Sequence, residues 1–258
     1  MEQERLNAIW ARTVEKLQEV VREFRITEDE LHAAGTFFDR LGQVGMCRSL
    51  IDVALAMTSV DVAAAASGGT RPNLEGPYYA VHPLRADGNL IEHEPGANVP
   101  RLRLSGVVTD AVTGAPIPGA RLDFWQADSE GIYDRKGSHL RGIVITDATG
   151  QYQITTVLPN DYSEHDQDPI GELFRAMGRT NTRAAHIHVK VTVDGRLLLT
   201  TQLFMPTSHF LDRDYVEGAV SDDLIVKLEP DPSAPPGIKM FRTRFDLAVA
   251  PHARGAAA

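Results

Sequence analysis

The period of the apolar pattern changes once, at Gly68, and that change sets most of what this chain can fold into. Before it, Leu6, Ile9, Trp10, Val14, Leu17, Val20, Val21 and Phe24 recur at three- and four-residue steps, with Glu and Arg between them. That is the spacing of an amphipathic helix. Thr27-Glu28-Asp29-Glu30 reads as a capping box that opens a second helix. Leu31, Ala34, Phe37, Phe38 and Leu41 would form its apolar face, and Gly42 and Gly45 interrupt the run. Residues 49–66, rich in alanine and stopped by Ser67-Gly68-Gly69, are a third helical candidate. Three short helices cannot bury two faces alone, so their stripes either pack on the rest of the chain or meet a second copy.

After Gly68, prolines and glycines punctuate short alternating segments. Strands are expected over 102–108, 120–125, 142–146, 152–157, 186–193 and 197–204, with closing strands over 222–228 and 240–247. Thr113-Gly114-Ala115-Pro116 should turn the chain. Ala148-Thr149-Gly150 and Asp194-Gly195-Arg196 should each close a hairpin. Many short strands at this spacing predict a mainly β chain built on a β-sandwich. The expected organisation is a helical linker or dimerisation segment over 1–68, a sandwich domain over 69–250 and a disordered tail over 251–258.

Composition removes several function classes. The formal net charge of −9 offers no footprint for nucleic acid or an anionic membrane. The single cysteine, Cys47, rules out an intramolecular disulfide and an all-cysteine metal site. The first stretch is charged throughout and no apolar run is long enough for a bilayer, so a cytoplasmic protein is expected.

The sharpest local signal is His186-Ile187-His188 at the head of a strand-like run. Residues two apart on a strand share a face, so both imidazoles could converge on one metal ion. Two half-exposed surface histidines are the plain alternative. His-Glu-x-x-His, Gly-x-Ser-x-Gly and phosphate-loop motifs are all absent. Asp194 and Asp212 lie downstream without a distinguishing context. Of the six tyrosines, Tyr133 and Tyr162 fall in loops just past strand ends, where a rigid scaffold can present a side chain. A phenolate is a hard anionic oxygen ligand that suits a trivalent cation.

Five ordered segments carry a resemblance. They are Leu74-Glu75-Gly76-Pro77-Tyr78-Tyr79, Leu122-Asp123-Phe124-Trp125-Gln126-Ala127-Asp128 with Gly131-Ile132-Tyr133, Leu158-Pro159-Asn160-Asp161-Tyr162, Arg183-Ala184-Ala185-His186-Ile187-His188, and Thr200-Thr201-Gln202-Leu203-Phe204. In order and spacing the chain resembles the intradiol ring-cleaving dioxygenases, the catechol 1,2-dioxygenase group. The resemblance implies Fe(III) held by Tyr133 and His186 in the equatorial positions and by Tyr162 and His188 in the axial ones. It implies that Tyr162 also leaves the metal to take a substrate proton. Arg183 and Gln202 match residues that face the bound substrate. Asp52, Val53, Leu74, Gly76, Pro77, Tyr78 and Val216 match substrate-facing wall positions. The helical segment resembles the linker through which these enzymes form homodimers, often around a bound phospholipid.

The activity implied is cleavage of a catechol-type ring between its hydroxylated carbons to a muconate-type dicarboxylate. A hydroxyquinol 1,2-dioxygenase giving maleylacetate is the alternative within the family. The short run from Asp134 to Leu140, the chain's modest length and Leu211-Asp212-Arg213-Asp214 lean towards the hydroxyquinol and chlorocatechol branches. Outside the family, the alternatives are a non-catalytic sandwich binding module and a zinc hydrolase using His186 and His188.

Overall fold

The computed structural model describes residues 2–65 and 68–250. The expected disordered tail, 251–258, lies outside the described residues, as does Ser67 of the expected helix stop. Gln3–Phe24 (α1) is one amphipathic helix, closed by Arg25 in the left-handed region at φ 53°. Glu28–Gln43 (α2) starts on the expected capping box. The Glu30 carboxylate accepts from the Thr27 N–H at 2.7 Å, and Thr27 Oγ1 accepts from the Glu30 N–H at 3.3 Å. The apolar stripe of α1 is not covered: Trp10 and Phe24 are each 70% exposed.

The third helical candidate is three pieces: Cys47–Ile51 (α3), a wider π-helical turn at Asp52–Ala56, and Met57–Ala64 (α4). The Val53 carbonyl accepts a hydrogen bond from the Glu217 N–H, which lies outside the helix, at 3.0 Å. The chain parts into two compact units within α3, one ending at Ser49 and the other beginning at Leu50. None of the described helices is long and apolar enough to cross a membrane.

Two sheets face each other in the second unit. In one, Arg101–Asp110 (β1) is central. Gln151–Val157 (β4) pairs with it antiparallel, while Met240–Arg244 (β10) and Leu247–Val249 (β11) pair with it parallel; Glu229–Pro230 (β9) extends the sheet from β10. The other sheet runs Arg141–Ile145 (β3), Arg121–Gln126 (β2), His186–Val193 (β7) and Arg196–Phe204 (β8), all antiparallel. Leu102, Leu104 and Val108 from one sheet pack with Leu122, Phe124, Ile187, Val189 and Val191 from the other. Each such side chain stabilises the fold by about 1.5–3 kcal/mol through burial.

The sandwich and its six principal strands are as the sequence predicts, but four details differ. Residues 147–150 do not close a hairpin. β3 and β4 lie in different sheets, because β2 and β1 each offer a longer pairing edge, and turn chemistry specifies a reversal but not a partner. The expected strand over 222–228 is instead a 3₁₀ turn, Asp222–Leu224, with Ile225 making a single bridge to Phe204. The last strand is broken at Phe245-Asp246, where the Asp246 side chain accepts from the Val107 N–H. A helix over Pro169–Ala176 (α5) was not expected, although Asp168-Pro169 could have signalled it. Asp168 caps it by accepting from the Ile170 and Gly171 N–H groups at 2.9 and 3.1 Å. By contrast, β7 and β8 form the expected hairpin, with Asp194 and Gly195 both at positive φ as a tight two-residue turn requires.

Gly106 fixes how closely β1 and the closing strands approach. A Cβ there would lie 1.9 Å from the Phe245 carbonyl oxygen, which also accepts from the Tyr152 hydroxyl at 2.6 Å. Gly106→Ala is therefore expected to destabilise the protein by about 1–3 kcal/mol, read as a lower urea midpoint. An unchanged midpoint would mean that the closing strands can move off β1 without loss.

Candidate metal centre

Alternation along β7 divides its side chains between two destinations. Ile187, Val189 and Val191 enter the sandwich core. His186, His188 and Lys190 therefore point out of the opposite face of the same sheet. The strand register then sets their neighbours. Arg141, Trp125, His188 and Gln202 stand directly opposite one another, one per strand, in a single row across β3, β2, β7 and β8. The Trp125 ring stacks on His188 at 4.5 Å with 6° between the planes. Loops carrying Tyr78, Tyr79, Tyr133 and Tyr162 cover this face as a second apolar cluster around Trp125.

Two of these loops are braced against each other. The Asp128 carboxylate accepts from the Glu130 and Ile132 N–H groups, and its carbonyl accepts from the Asn160 N–H at 3.0 Å. Gly131, at φ 79°, lies so near the second loop that a Cβ would sit 2.4 Å from the Asp161 carbonyl oxygen. Asp161 in turn accepts from the Ala185 N–H at 2.8 Å and from Ser208 Oγ at 2.5 Å, fixing the Tyr162 loop to the start of β7. Tyr162–Ser163 (β5) pairs with Thr182–Arg183 (β6), setting Tyr162 opposite Arg183.

The result is a buried meeting point of four side chains. His186 Nε2 lies 3.0 Å from His188 Nε2, which lies 3.2 Å from the Tyr133 hydroxyl oxygen. The Tyr133 and Tyr162 rings meet edge to face at 5.3 Å, and Tyr162 is 5.7 Å from the His186 ring. Burial, followed by the charge of Arg183, holds His186 well below the ordinary imidazole pKa. Burial, then His186 and Arg183, do the same for His188. Burial raises both phenols above their usual value, opposed in each case by Arg183. His186 Nδ1 lies 2.6 Å from the Ala184 carbonyl, which only accepts, so this nitrogen carries the proton and Nε2 presents a lone pair.

Among the described residues no group of three His, Cys, Asp or Glu side chains could hold a metal ion. The convergent set here is two neutral imidazoles and two phenols. Their nitrogen and oxygen atoms crowd one point with few protons to share, which suits a hard, highly charged cation that can deprotonate phenols. The donor set thus fits a ferric ion better than zinc, which is bound chiefly by Cys, His and carboxylate.

Arg183 is buried beside this point. Its Nε donates to Asp214 at 2.8 Å and one terminal nitrogen donates to Gln202 Oε1 at 2.8 Å. Gln202 Nε2 donates to the Leu74 carbonyl at 2.8 Å, tying the 74–78 loop to the row. Burial opposes the charge on Arg183, but Asp214 together with Tyr162, Glu164 and Tyr133 outweighs it, and the guanidinium sits above its ordinary pKa. Gly76 approaches His188 closely enough that a Cβ would be 3.4 Å from the ring. Tyr78 stacks on Tyr133 at 4.4 Å. Val53 and Val216 are buried, and their segments are joined through the hydrogen bond from Glu217. Asp52 stands at the head of the π-helical turn. Pro77 is exposed between Gly76 and Tyr78.

Sequence reasoning missed three contributors. Asp214 lies 31 residues from its partner Arg183, and no spacing rule links them. Arg141 donates to the Asp134 and Tyr78 carbonyls at 2.9 and 2.7 Å, clamping two loops. Trp125 was seen as a strand end and part of a motif, with no role at the site. The alternation of β2, with Leu122 and Phe124 in the core, could have placed it on the outer face.

Comparisons with known proteins identify the family and the fold. A family model described as "Dioxygenase" matches residues 74–251. Chlorocatechol 1,2-dioxygenase from Pseudomonas sp. (strain P51) is 32% identical, over 90% of this chain and 93% of that one. Hydroxyquinol 1,2-dioxygenase from Rhizobium sp. (strain MTP-10005) is 31% identical, over 87% of this chain and 80% of that one. The crystal structure of 3-chlorocatechol 1,2-dioxygenase from Rhodococcus opacus 1CP shares the fold with a TM-score of 0.85, at 24% identity, covering 96% of this chain and 99% of that one. That of hydroxyquinol 1,2-dioxygenase from Pseudomonas putida DLL-E4 has a TM-score of 0.84 at 27% identity, covering 97% and 93%.

Asp214 accepts from Arg183, from the Ala184 N–H and from the Val216 N–H at 2.7–2.8 Å. Asp214→Ala leaves the guanidinium buried without its counter-charge, and a loss of about 3–5 kcal/mol in unfolding free energy is expected. Chemical denaturation measures it; a loss below about 1 kcal/mol, the range of an exposed pair, would show that water reaches Arg183.

Proposed function

Because the chain belongs to the intradiol ring-cleaving dioxygenase family, we propose that it cleaves a catechol-type ring between its two hydroxylated carbons at the cluster of Tyr133, Tyr162, His186 and His188. The observation that carries this reading is the convergence of two neutral imidazoles and two phenols on one buried point. These four residues would hold Fe(III). When bound, the ferric ion supplies the Lewis acidity that draws the diol oxygens and makes the ring reactive towards dioxygen.

The remaining work falls to the chain. His186 keeps its proton on Nδ1 through the Ala184 carbonyl, which leaves Nε2 for the metal. Trp125 holds the plane of His188 by stacking. Tyr162, held as a phenolate in the loaded site, would take a proton from a substrate hydroxyl at its phenolic oxygen, so the diol binds as an anion without adding net charge to the site. Arg183 is fixed by Asp214 and Gln202 before the reaction begins. Its guanidinium therefore meets negative charge developing on the substrate with little reorganisation. Burial of the cluster excludes bulk water and strengthens each of these interactions. Asp52, Val53, Leu74, Gly76, Pro77, Tyr78 and Val216 are assigned to the substrate pocket on the same reading. A binding module would have no use for a buried row of ionisable side chains of this kind, and a zinc hydrolase would have none for the two phenols.

The test is a visible absorption spectrum of the iron-loaded protein, before and after catechol is added without air. A broad phenolate-to-metal band is expected, moving to longer wavelength with catechol. Tyr133→Phe and Tyr162→Phe should each weaken or displace the band. An iron-loaded protein that stays colourless and does not respond to catechol would overturn the assignment.

The same reading includes a homodimer in the cytoplasm, with a phospholipid at the helical interface. Its support is the apolar face of α1 and α2, where Trp10, Leu17, Phe24 and Phe38 are each at least half exposed, and the lone unpaired Cys47, which suits a reducing compartment. Light scattering should give twice the chain mass, and Trp10→Glu with Leu17→Glu should return it to one chain. A monomeric parent protein would remove this part of the reading.

A further inference from the structure

One carboxylate beside the cluster has no part in holding it. Glu164 lies two residues past Tyr162, so alternation places both side chains on one face. Its backbone stays in register beyond β5, because the Glu164 N–H donates to the Asn181 carbonyl at 3.0 Å. Oε1 of Glu164 is buried and accepts no hydrogen bond. Oε2 is 3.9 Å from His165 Nε2, beyond hydrogen-bond range, and that imidazole is already engaged by Asp168 at 2.6 Å. After burial, Glu164 helps to raise the pKa of Tyr78 through its charge and through hydrogen bonding with that hydroxyl, and its charge acts on Tyr133, Tyr162, Arg183 and Tyr215 as well.

A buried acceptor without a donor costs free energy that a ligand can relieve. Two strand residues span about 6.6 Å, close to the width of a substituted aromatic ring, so a ring bound through its diol near Tyr162 would bring its far side towards Glu164. Resting on the dioxygenase reading above, we propose that Glu164 is a specificity-determining residue: its carboxylate accepts a hydrogen bond from a donor substituent, a third hydroxyl or an amino group, on the far side of the diol ring. An apolar substituent of the same size leaves Oε1 unsatisfied. A carboxylate substituent meets like charge. The site therefore prefers donor-bearing diols to alkylated or carboxylated ones.

The experiment compares 1,2,4-trihydroxybenzene with 4-methylcatechol, which are nearly equal in size, in the iron-loaded parent protein, Glu164→Gln and Glu164→Leu. The ratio of their kcat/KM values is the readout, supported by the ratio of their Kd values from anaerobic titration of the visible band. The parent should favour the trihydroxy compound. Glu164→Leu should lower that preference by about tenfold or more, the worth of a hydrogen bond to a charged group. Glu164→Gln keeps an acceptor oxygen in the same shape and should fall between the two, and it decides the matter alone if the leucine variant does not fold. Because both substrates are cleaved at one centre, a variant that merely loosened the site would lower both rates and leave the ratio. Cleavage of both diols with the ratio unchanged in either variant overturns the role of Glu164 alone. Cleavage of no diol by the parent overturns the dioxygenase reading, and this proposal with it.

Discussion

The two-residue repeat of β7 is the constraint on which the rest of the site depends. One face of the strand, Ile187, Val189 and Val191, is fully buried between the sheets. A slip of one residue would expose that face and bury His186, His188 and Lys190 in the core. Burial of three aliphatic side chains thus fixes the orientation of two imidazoles, and stability and placement of these imidazoles have the same origin. The register extends the effect sideways. It lines up Arg141, Trp125, His188 and Gln202 across four strands, so groups far apart in sequence share one row.

The phenols are placed by different physics. Their loops carry little core of their own, and carboxylates organise them instead. Asp128 and Asp134 each gather several backbone N–H groups into a tight turn. Asp161 and Asp214 reach from one segment to another. The Asp161 and Asp214 contacts satisfy donors that would otherwise be buried without a partner. Arg141 and Arg183 complete the arrangement from opposite sides, the first holding loop carbonyls and the second held by Asp214 and Gln202. The cluster is accordingly stiff before any ligand arrives, as electrostatic preorganisation requires.

Beyond the row, Asp123, Lys190, Tyr79 and His82 form a second polar group. The Tyr79 hydroxyl donates to Asp123 at 3.0 Å, His82 pairs with the same carboxylate, and Lys190 Nζ lies 3.6 Å from the centre of the Tyr79 ring. These contacts anchor the 74–82 segment to the outer face of the sheet. They explain why a segment with almost no regular structure is held over the site.

By itself the sequence determined α1, α2 with its capping box, six strands, the β7–β8 turn and the identity of the four convergent side chains. Those features are written in short-range patterns: an apolar period, a cap, two positive-φ turn residues, a His-x-His pair and motifs in fixed order. Tertiary structure decided what no local pattern encodes. It separated β3 from β4, because partner choice depends on which edges are open. It shortened the expected strand over 222–228 to a 3₁₀ turn and a single bridge, and split the last strand at Phe245-Asp246. It brought Asp214 to Arg183 and Trp125 to His188, since long-range pairing is set by sheet register and loop docking.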